Sequence, residues 1–174
     1  HKALEIRDNP KIFVVEGGTS RIDSVTKGVK FWQQSELSYD YILIHDAARP
    51  CLRSSDVQQL LDSIDKETDG VVLGIPCSDT IKRLSAKDSL ILETVDRSEL
   101  WRAFTPQIFK KEVLQMITTE ENLDKEFTDE ASFVEANGGK LKMVKGFEDN
   151  IKLTFPEDLS LIKSILSSQG RLES

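Results

Sequence analysis

The fold is decided by residues 41–50, YILIHDAARP, in which four apolar residues run directly into a polar, charged loop. Two further short apolar runs, residues 12–15 and 71–75, stand on either side of it along the chain. Segments with helical spacing separate the runs, and this alternation is typical of a mostly parallel sheet flanked by helices. We therefore predict an α/β fold with strands at 12–15, 41–44 and 71–75.

Two helices are predicted from apolar residues spaced three and four apart. The first lies between the second and third apolar runs, with Ser55 and Gln58 at the positions of a capping box. The second comes near the end of the chain, where Thr154 and Glu157 repeat the capping pattern and Pro156 falls in the first turn. Their apolar faces consist of Val57, Leu60, Leu61 and Ile64 in the first helix, and Leu159, Ile162 and Leu166 in the second.

A β-hairpin is predicted between these helices. Residues 80–84 and 90–95 have strand character, and the polar residues 85–89 join them. A two-stranded hairpin is only marginally stable alone, so we expect it to pack on another subunit.

Composition limits the classes of function. The 174 residues are 39% hydrophobic, enough for the core of one domain, and the net charge of −7 is the wrong sign for coating a nucleic acid. Two cysteines, Cys51 and Cys77, and two histidines suggest neither disulfides nor zinc. No apolar run is long enough to cross a membrane. We expect a single domain in a reducing compartment, with any anionic substrate held by a few placed cations.

The chain opens at His1 without an initiator Met, so we expect that its amino end is not native. A segment before His1 could carry a targeting signal. A bacterial cytoplasm is the expected location, with a plastid as the alternative.

The loop HDAARP, residues 45–50, follows a predicted strand, and ligands of open α/β sheets bind at the carboxyl ends of strands. Asp46 and Arg49 could hold a metal or ribose and a phosphate, respectively. Alternatively, they form an ion pair that shapes a turn before Pro50. The residues alone leave both interpretations open.

Three other segments could bind a ligand or play an ordinary structural part. The Gly17-Gly18 turn could receive a base or phosphate, although a glycine turn before a Ser-capped helix is common. Thr128 is by default the N-cap of a short helix ending near residues 138–139, and its amino end could bind an anion. Lys152 precedes the last helix, where a solvated strand residue is the default interpretation.

The segment DRSELWRAFTPQ, residues 96–107, places Arg97, Arg102 and Thr105 in an otherwise acidic protein. Two arginines and a hydroxyl suit an oxyanion. The alternative leaves Arg97 on the surface, and in either case Trp101 is expected in the core.

Six segments in this order resemble one family: GGTSRIDSV, HDAARP, the arm that begins at Thr80, DRSELWRAFTPQ, TDEAS and NIKLTFPEDL. They resemble the 2-C-methyl-D-erythritol 4-phosphate cytidylyltransferases of the non-mevalonate isoprenoid pathway, from about Val14 to Leu159. The resemblance implies a Rossmann-like nucleotidyltransferase fold with a protruding β-arm at residues 77–98. It also implies a Mg²⁺-dependent homodimer that uses CTP, in which each arm completes the partner's active site.

The resemblance also implies roles for individual residues. Gly18, Thr19 and Ser24 would contact the cytosine, although many members of the family carry Asp at position 19. Asp46 and Ala47 would lie near the ribose and the metal, with Asp46 as the metal ligand, and Lys152 would contact the reacting α-phosphate. The methylerythritol phosphate would be enclosed by Arg49, Thr80, Arg97, Thr105 and Thr128, with Thr80 and Arg97 reaching across from the partner's arm. Lys152, Arg97 and Asp46 would be the catalytic residues.

In the implied reaction, an oxygen of the methylerythritol phosphate attacks the α-phosphorus of CTP in line and pyrophosphate leaves, without a covalent enzyme intermediate. The family's first strand and glycine-rich loop would precede His1, so we expect an N-terminally truncated chain that binds CTP weakly and turns over little. The alternatives are a ribitol 5-phosphate cytidylyltransferase and an inactive nucleotidyltransferase-like binding module. Retention of the motif residues argues against the inactive module.

Overall fold

The structure is a computed structural model that describes residues 9–119 and 127–172. The chain divides into two compact units, His1–Ile42 with Lys110–Gly139, and Leu43–Phe109 with Lys140–Ser174. A single domain over the whole chain stays a prediction.

The helices of the described part are α1 (Arg21–Gln34), α2 (Ser54–Ser63), α3 (Lys111–Gln115), α4 (Glu130–Ala136) and α5 (Asp158–Ser168), with a 3-10 turn at Met116–Thr118. The strands of the same part are β1 (Tyr41–Ile44), β2 (Gly70–Pro76), β3 (Ile81–Leu84), β4 (Ile91–Val95), β5 (Trp101–Lys110) and β6 (Leu141–Lys145). Among the described residues, no helix is both long enough and apolar enough to span a lipid bilayer.

The larger sheet has the strand order β1-β5-β2-β6. β2 runs parallel to β6 and antiparallel to β5, with a register shift between Val72 and Leu73 in the β5 pairing. The predicted α/β class is confirmed, and the sheet is mixed because β5 returns alongside β2 after the hairpin. The strands predicted at residues 41–44 and 71–75 are β1 and the body of β2.

The core of the second unit lies between this sheet and α2. β2 is buried from Gly70 to Ile75, as expected for a central strand. α2 packs on β2 and β6, which confirms the predicted packing of this helix on the sheet. Burying a large aliphatic or aromatic side chain contributes about 1.5–3 kcal/mol. The core cluster consists of Leu60, Val71, Leu73, Ile75, Phe104, Ile108 and Val144.

The first unit is helical in its described part. Ser20 caps α1, because its hydroxyl accepts a hydrogen bond from the Asp23 backbone N–H at 3.1 Å. α1 packs against α3 and the 3-10 turn, and α3 packs against α4.

The strand predicted at residues 12–15 is wrong, since these residues form no strand and all are exposed. A strand needs a neighbour for its backbone groups, and none of the described strands pairs with this run. Phe13 packs instead on α1, with ring centroids 5.3 Å from Phe31 and 5.6 Å from Trp32.

Both predicted capping boxes are wrong, although both helices are confirmed. α2 begins after Arg53, which makes no side-chain capping bond, so Ser55 and Gln58 lie inside the helix. α5 begins after Glu157, and its Asp158 carboxylate accepts the backbone N–H groups of residues 154 and 155, each at 2.8 Å. A carboxylate is a stronger acceptor than a threonine hydroxyl. Pro156 therefore precedes α5 instead of lying in its first turn.

The predicted hairpin is confirmed as a separate two-stranded sheet of β3 and β4. The strands are antiparallel, and Ile81 lies opposite Val95. Four of its apolar residues are exposed by half or more of their surface: Leu84 50%, Leu90 64%, Ile91 63% and Leu92 62%. Such a cluster on a hairpin is typical of a surface that another chain covers.

Candidate active site

Three charged residues of the second unit meet where the loop 45–50 leaves β1. The carboxylate Oδ2 of Asp46 lies 3.2 Å from Lys152 Nζ and 3.9 Å from Arg49 Nε. Asp46 and Arg49 each expose 16% of their side chains, and Lys152 exposes 45%. Asp46 and Arg49 do pair, as one of the two interpretations expected. Lys152 joins them, so the cluster is more than a turn-shaping ion pair.

Thr105 on β5 forms hydrogen bonds to this loop. Its hydroxyl oxygen accepts the backbone N–H of Asp46 at 2.9 Å and lies 3.1 Å from Nδ1 of His45. The other ring nitrogen of His45, Nε2, lies 2.9 Å from the carbonyl oxygen of Arg49. Thr105 exposes only 4% of its surface. The loop is therefore tied to the sheet at both of its charged residues.

Asn150 connects Arg49 of the cluster to Thr105 through two hydrogen bonds. Its side-chain amide donates a hydrogen bond to the backbone carbonyl of Thr105 at 2.9 Å. The backbone carbonyl of Asn150 accepts a hydrogen bond from Arg49 Nη1 at 2.8 Å. Asn150 is 98% buried, with an exposed fraction of 2%. Burial lowers the pKa of Arg49, whereas the negative charge of Asp46 opposes that shift.

A cavity of about 350 Å³ lies beside this cluster in the second unit. Its charged lining consists of Arg49, Arg102, Lys152 and Glu148, so three cations face one carboxylate. Phe104 and Ile75 supply apolar walls. Cations beside apolar walls suit an anion with a short carbon chain. That a few placed cations hold the substrate of this acidic protein stays a prediction.

Trp101 is not in the core, because 38% of its surface is exposed. It opens β5, opposite Pro76 at the end of β2, where the buried part of the sheet gives way to the hairpin. The burial of β5 begins at Phe104 instead. Arg102, which was singled out with Trp101, lines the cavity.

Thr80 and Arg97 flank the base of the hairpin. Thr80 directly precedes β3, Arg97 follows β4 by two residues, and both are exposed. A guanidinium nitrogen of Arg97 donates to the carbonyl of Ser78, which holds Arg97 at this base. The structure therefore brings these two predicted residues to one end of the arm. Ala47 lies in the loop after Asp46 and is exposed.

The glycine turn of the first unit is closed by its own side chains. The hydroxyl of Ser24 accepts the backbone N–H of Gly18 at 2.9 Å and donates to the carbonyl of Ser20 at 2.9 Å. Asp23 accepts the backbone N–H of Thr19, also at 2.9 Å. A Cβ at position 18 would collide with the Asp23 side chain, so glycine permits this close approach. The structure brings Gly18 and Thr19 of the turn close to the beginning of α1, where Ser24 lies.

Thr128 also belongs to the first unit and is exposed, but it is not the N-cap of α4. Asp129 is the cap, since its carboxylate accepts the backbone N–H of Ser132 at 2.9 Å in a capping box. The helix ends as predicted, with Gly138 at φ +78°.

A buried ion pair joins the beginnings of α1 and α4. Arg21 donates to both carboxylate oxygens of Glu130, at 2.6 and 2.9 Å. The side chain of Glu130 is fully buried, and that of Arg21 exposes 36%. The pair fixes the helix that follows the glycine turn to the helix that follows Thr128.

Sequence reasoning missed four residues that organise these sites: His45, Asn150, Arg21 and Glu130. Each of them stands inside a motif that was singled out, within two positions of a residue that received a role. Their contacts span 60, 45, 101 and 109 positions of sequence, so spacing along the chain gave no signal for the pairings. Among the described residues, 9–119 and 127–172, no three His, Cys, Asp or Glu side chains lie close enough together to hold a metal ion.

Comparison with known proteins identifies the relatives of this chain. The family model described as 2-C-methyl-D-erythritol 4-phosphate cytidylyltransferase matches residues 1–168. A relative of that name from Escherichia fergusonii is 42% identical over 165 residues, covering 94% of this chain and 68% of the relative. Another of that name, from Haemophilus influenzae strain PittEE, is 42% identical over 160 residues, covering 91% of this chain and 68% of the relative.

Solved structures give the same result for the fold. A crystal structure of 4-diphosphocytidyl-2C-methyl-D-erythritol synthase matches with a TM-score of 0.75 at 37% identity, over 87% of this chain and 69% of that one. The synthase of Anaerococcus prevotii matches with a TM-score of 0.81 at 25% identity, over 95% of this chain and 72% of that one. Both comparisons cover most of this chain.

Proposed function

Because this chain belongs to the 2-C-methyl-D-erythritol 4-phosphate cytidylyltransferase family, we propose that its Asp46–Arg49–Lys152 cluster transfers CMP from CTP to 2-C-methyl-D-erythritol 4-phosphate. The products are 4-diphosphocytidyl-2-C-methyl-D-erythritol and pyrophosphate, in isoprenoid biosynthesis. The observation that carries this assignment is Lys152 Nζ at 3.2 Å from Asp46, next to a cavity lined by further cations.

The chemistry asks these residues to align and neutralise charge. An oxygen of the methylerythritol phosphate forms a bond to the α-phosphorus, and the bond to the β-phosphate oxygen breaks, so pyrophosphate leaves with the electron pair. Negative charge spreads over the α-phosphate oxygens in the transition state. In this proposal Lys152 contacts these oxygens, and Arg49 holds the phosphate of the second substrate. No side chain has to form a covalent bond.

Asp46 suits Mg²⁺ as a single carboxylate ligand. Magnesium is usually held by one or two carboxylates together with substrate phosphates, and it keeps several waters. Asp46 is a partly buried carboxylate with cations on two sides, so its negative charge is held at a fixed position. When bound, the ion would neutralise phosphate charge. Omitting divalent cations should abolish turnover, and activity retained in excess chelator would refute this role.

The glycine turn is the proposed cytosine site, formed by Gly18, Thr19 and Ser24, while Asp46 and Ala47 lie near the ribose. The turn is held in shape by its internal hydrogen bonds, so a base would meet a preformed surface. Amide resonances of these residues should shift when CTP is added. Shifts confined to the rest of the chain would contradict the assignment.

The remaining proposed contacts to the methylerythritol phosphate come from Thr105, from Thr128 and from Thr80 and Arg97 of the partner's arm in a homodimer. The exposed leucines and isoleucine of β3, β4 and their turn support such a dimer, since a monomer would leave them in water. Replacing Leu90, Ile91 and Leu92 together by serine should yield monomers by light scattering. Leu161, exposed on α5, is the control position. A parent chain that is already monomeric would refute the dimer.

The experiment that tests the function is Mg²⁺-dependent pyrophosphate release from CTP. Methylerythritol 4-phosphate and ribitol 5-phosphate are offered in parallel. Because the chain spans 68% of the Escherichia fergusonii relative, the assay uses this chain and a version carrying that relative's preceding residues. We expect the longer version to prefer methylerythritol phosphate. A preference for ribitol phosphate, or no release in either version, would overturn the assignment.

In the longer version of the chain, Arg97→Ala should lower kcat/KM for methylerythritol phosphate by about tenfold or more. The reason is that a hydrogen bond to a charged group contributes about 1.5–3 kcal/mol. The matched control is Arg83→Ala, which removes an exposed arginine of the same hairpin. A binding module without catalysis would tolerate both changes. Equal kinetics for the two variants would therefore refute the role of Arg97.

The proposed location is the cytoplasm. Both cysteines are unpaired, as expected in a reducing compartment, and the relatives reported above are bacterial. Fractionation of the source cells should recover the chain with cytoplasmic markers, and recovery with envelope or organelle markers would contradict this.

A further inference from the structure

His45 occupies a place in the active-site loop that the family roles do not explain. Its ring lies between two residues of the site, with one nitrogen 3.1 Å from the Thr105 hydroxyl and the other 2.9 Å from the Arg49 carbonyl. We propose that His45 is a positioning residue that fixes the backbone of Asp46 and Arg49 through Thr105. Asp46, Thr105, His45 and Arg49 are thereby joined in one relay of hydrogen bonds. The inference rests on the proposed function.

The direction of each hydrogen bond follows from the chemistry of the partners. A carbonyl oxygen carries no proton, so the contact between His45 Nε2 and the Arg49 carbonyl is a hydrogen bond only if Nε2 carries one. In the neutral imidazole, Nδ1 is then an acceptor. The structure therefore assigns one tautomer to His45.

The Thr105 hydroxyl completes the relay. Its oxygen accepts the Asp46 backbone N–H at 2.9 Å, and its proton is free to point to Nδ1 of His45. The donors run in one direction, from Asp46 N–H to Thr105, from Thr105 O–H to His45, and from His45 N–H to the Arg49 carbonyl. No donor or acceptor in this relay faces a group of its own kind.

The two ends of the relay, Asp46 and Arg49, are also hydrogen-bonded to each other. Within the loop, the Arg49 backbone N–H donates to the Asp46 carbonyl at 2.9 Å. The relay satisfies the two remaining backbone groups, the N–H of Asp46 and the carbonyl of Arg49. Both residues that carry the charges of this loop therefore have N–H and C=O fixed, which limits the positions that their side chains can reach.

Thr105 is well placed as the fixed point of the relay. It is buried within β5, and its carbonyl is held by the Asn150 side chain at 2.9 Å.

The first experiment reads the tautomer without any substrate. The chain contains His1 and His45, so ¹⁵N-histidine labelling gives two rings, and His1→Gln leaves the signals of His45 alone. At pH 8, where free imidazole side chains are neutral, Nε2 of His45 should be protonated and Nδ1 should have the shift of an acceptor nitrogen. Thr105→Val, of equal shape, should move the Nδ1 resonance. A proton on Nδ1, or no response to Thr105→Val, would overturn the proposal.

The second experiment separates the two ends of the relay in the active version of the enzyme. His45→Asn keeps an acceptor near Nδ1 and removes the donor to Arg49, so KM for methylerythritol phosphate should rise about fivefold with little change in kcat. His45→Gln keeps a donor near Nε2 and removes the acceptor for Thr105, so kcat should fall about fivefold through Asp46.

A merely structural histidine would not divide KM from kcat in this way. Equal changes in both variants, or none in either, would overturn the positioning role. Failure of the proposed function would be a different result, namely no pyrophosphate release from the parent enzyme. The tautomer measurement decides the relay in that case as well, because it needs no turnover.

Discussion

Replacing Lys152 by alanine should lower kcat about 150-fold or more, a loss of roughly 3 kcal/mol of transition-state stabilisation. Preorganised groups facing the charge of a transition state contribute losses of this size. Lys152 Nζ lies 3.2 Å from Asp46, and Lys152 lines the cavity together with Arg49 and Arg102. The measurement is pyrophosphate release at saturating CTP and methylerythritol phosphate, so that kcat and not binding is compared.

The matched control for this prediction is Lys163→Ala, which removes an exposed lysine from the middle of α5. Its kcat should equal that of the parent enzyme. If Lys152→Ala also stayed within a few-fold of the parent, Lys152 would not contact the reacting phosphate. A fall in kcat with an unchanged unfolding midpoint would place the loss in catalysis.

Glu130→Ala should lower the free energy of unfolding by about 3 kcal/mol. Removing one partner of a buried ion pair costs about 3–5 kcal/mol, and the lower end applies because Arg21 exposes 36% of its side chain and water can screen its charge. The variant also deletes two hydrogen bonds of 2.6 and 2.9 Å. Urea unfolding followed by circular dichroism gives the free energy directly.

Glu135→Ala is the control, because it removes an exposed glutamate from the same helix, α4. Its effect should stay within about 0.5 kcal/mol, as for most surface substitutions. Glu130→Gln, which keeps the shape but not the charge, should fall between the two. Similar stabilities for Glu130→Ala and Glu135→Ala would show that the ion pair contributes little.

The sequence predicted elements whose signal is local. β2 is a continuous apolar run that could be recognised because a central strand is buried on both faces. Residues 12–15 have the same local signal but form no strand, because a strand also requires a neighbour, which no local pattern reveals. The capping boxes failed because the helices begin at other residues: Ser55 lies inside α2, and Thr154 lies before α5, where its backbone N–H donates to Asp158.

The charged residues of the site were predicted, but the residues that support them were not. Resemblance singled out Asp46, Arg49 and Lys152, and the structure places their charged groups together. The resemblance did not indicate His45 or Asn150, because their hydrogen bonds depend on which strands and loops become neighbours after folding. Composition had already indicated that local cations must hold any anion, and the cavity beside Arg49 and Lys152 has that character.

The close approach of Lys152 to Asp46 has a consequence for how a phosphate enters. The lysine already has an anionic companion at 3.2 Å. On the proposed function, in which Lys152 contacts the α-phosphate, an arriving phosphate would compete with Asp46 for this lysine, so binding would be an exchange of partners. The same exchange would free the Asp46 carboxylate for the Mg²⁺ that arrives with the phosphate. One lysine would then couple substrate entry to the availability of this carboxylate.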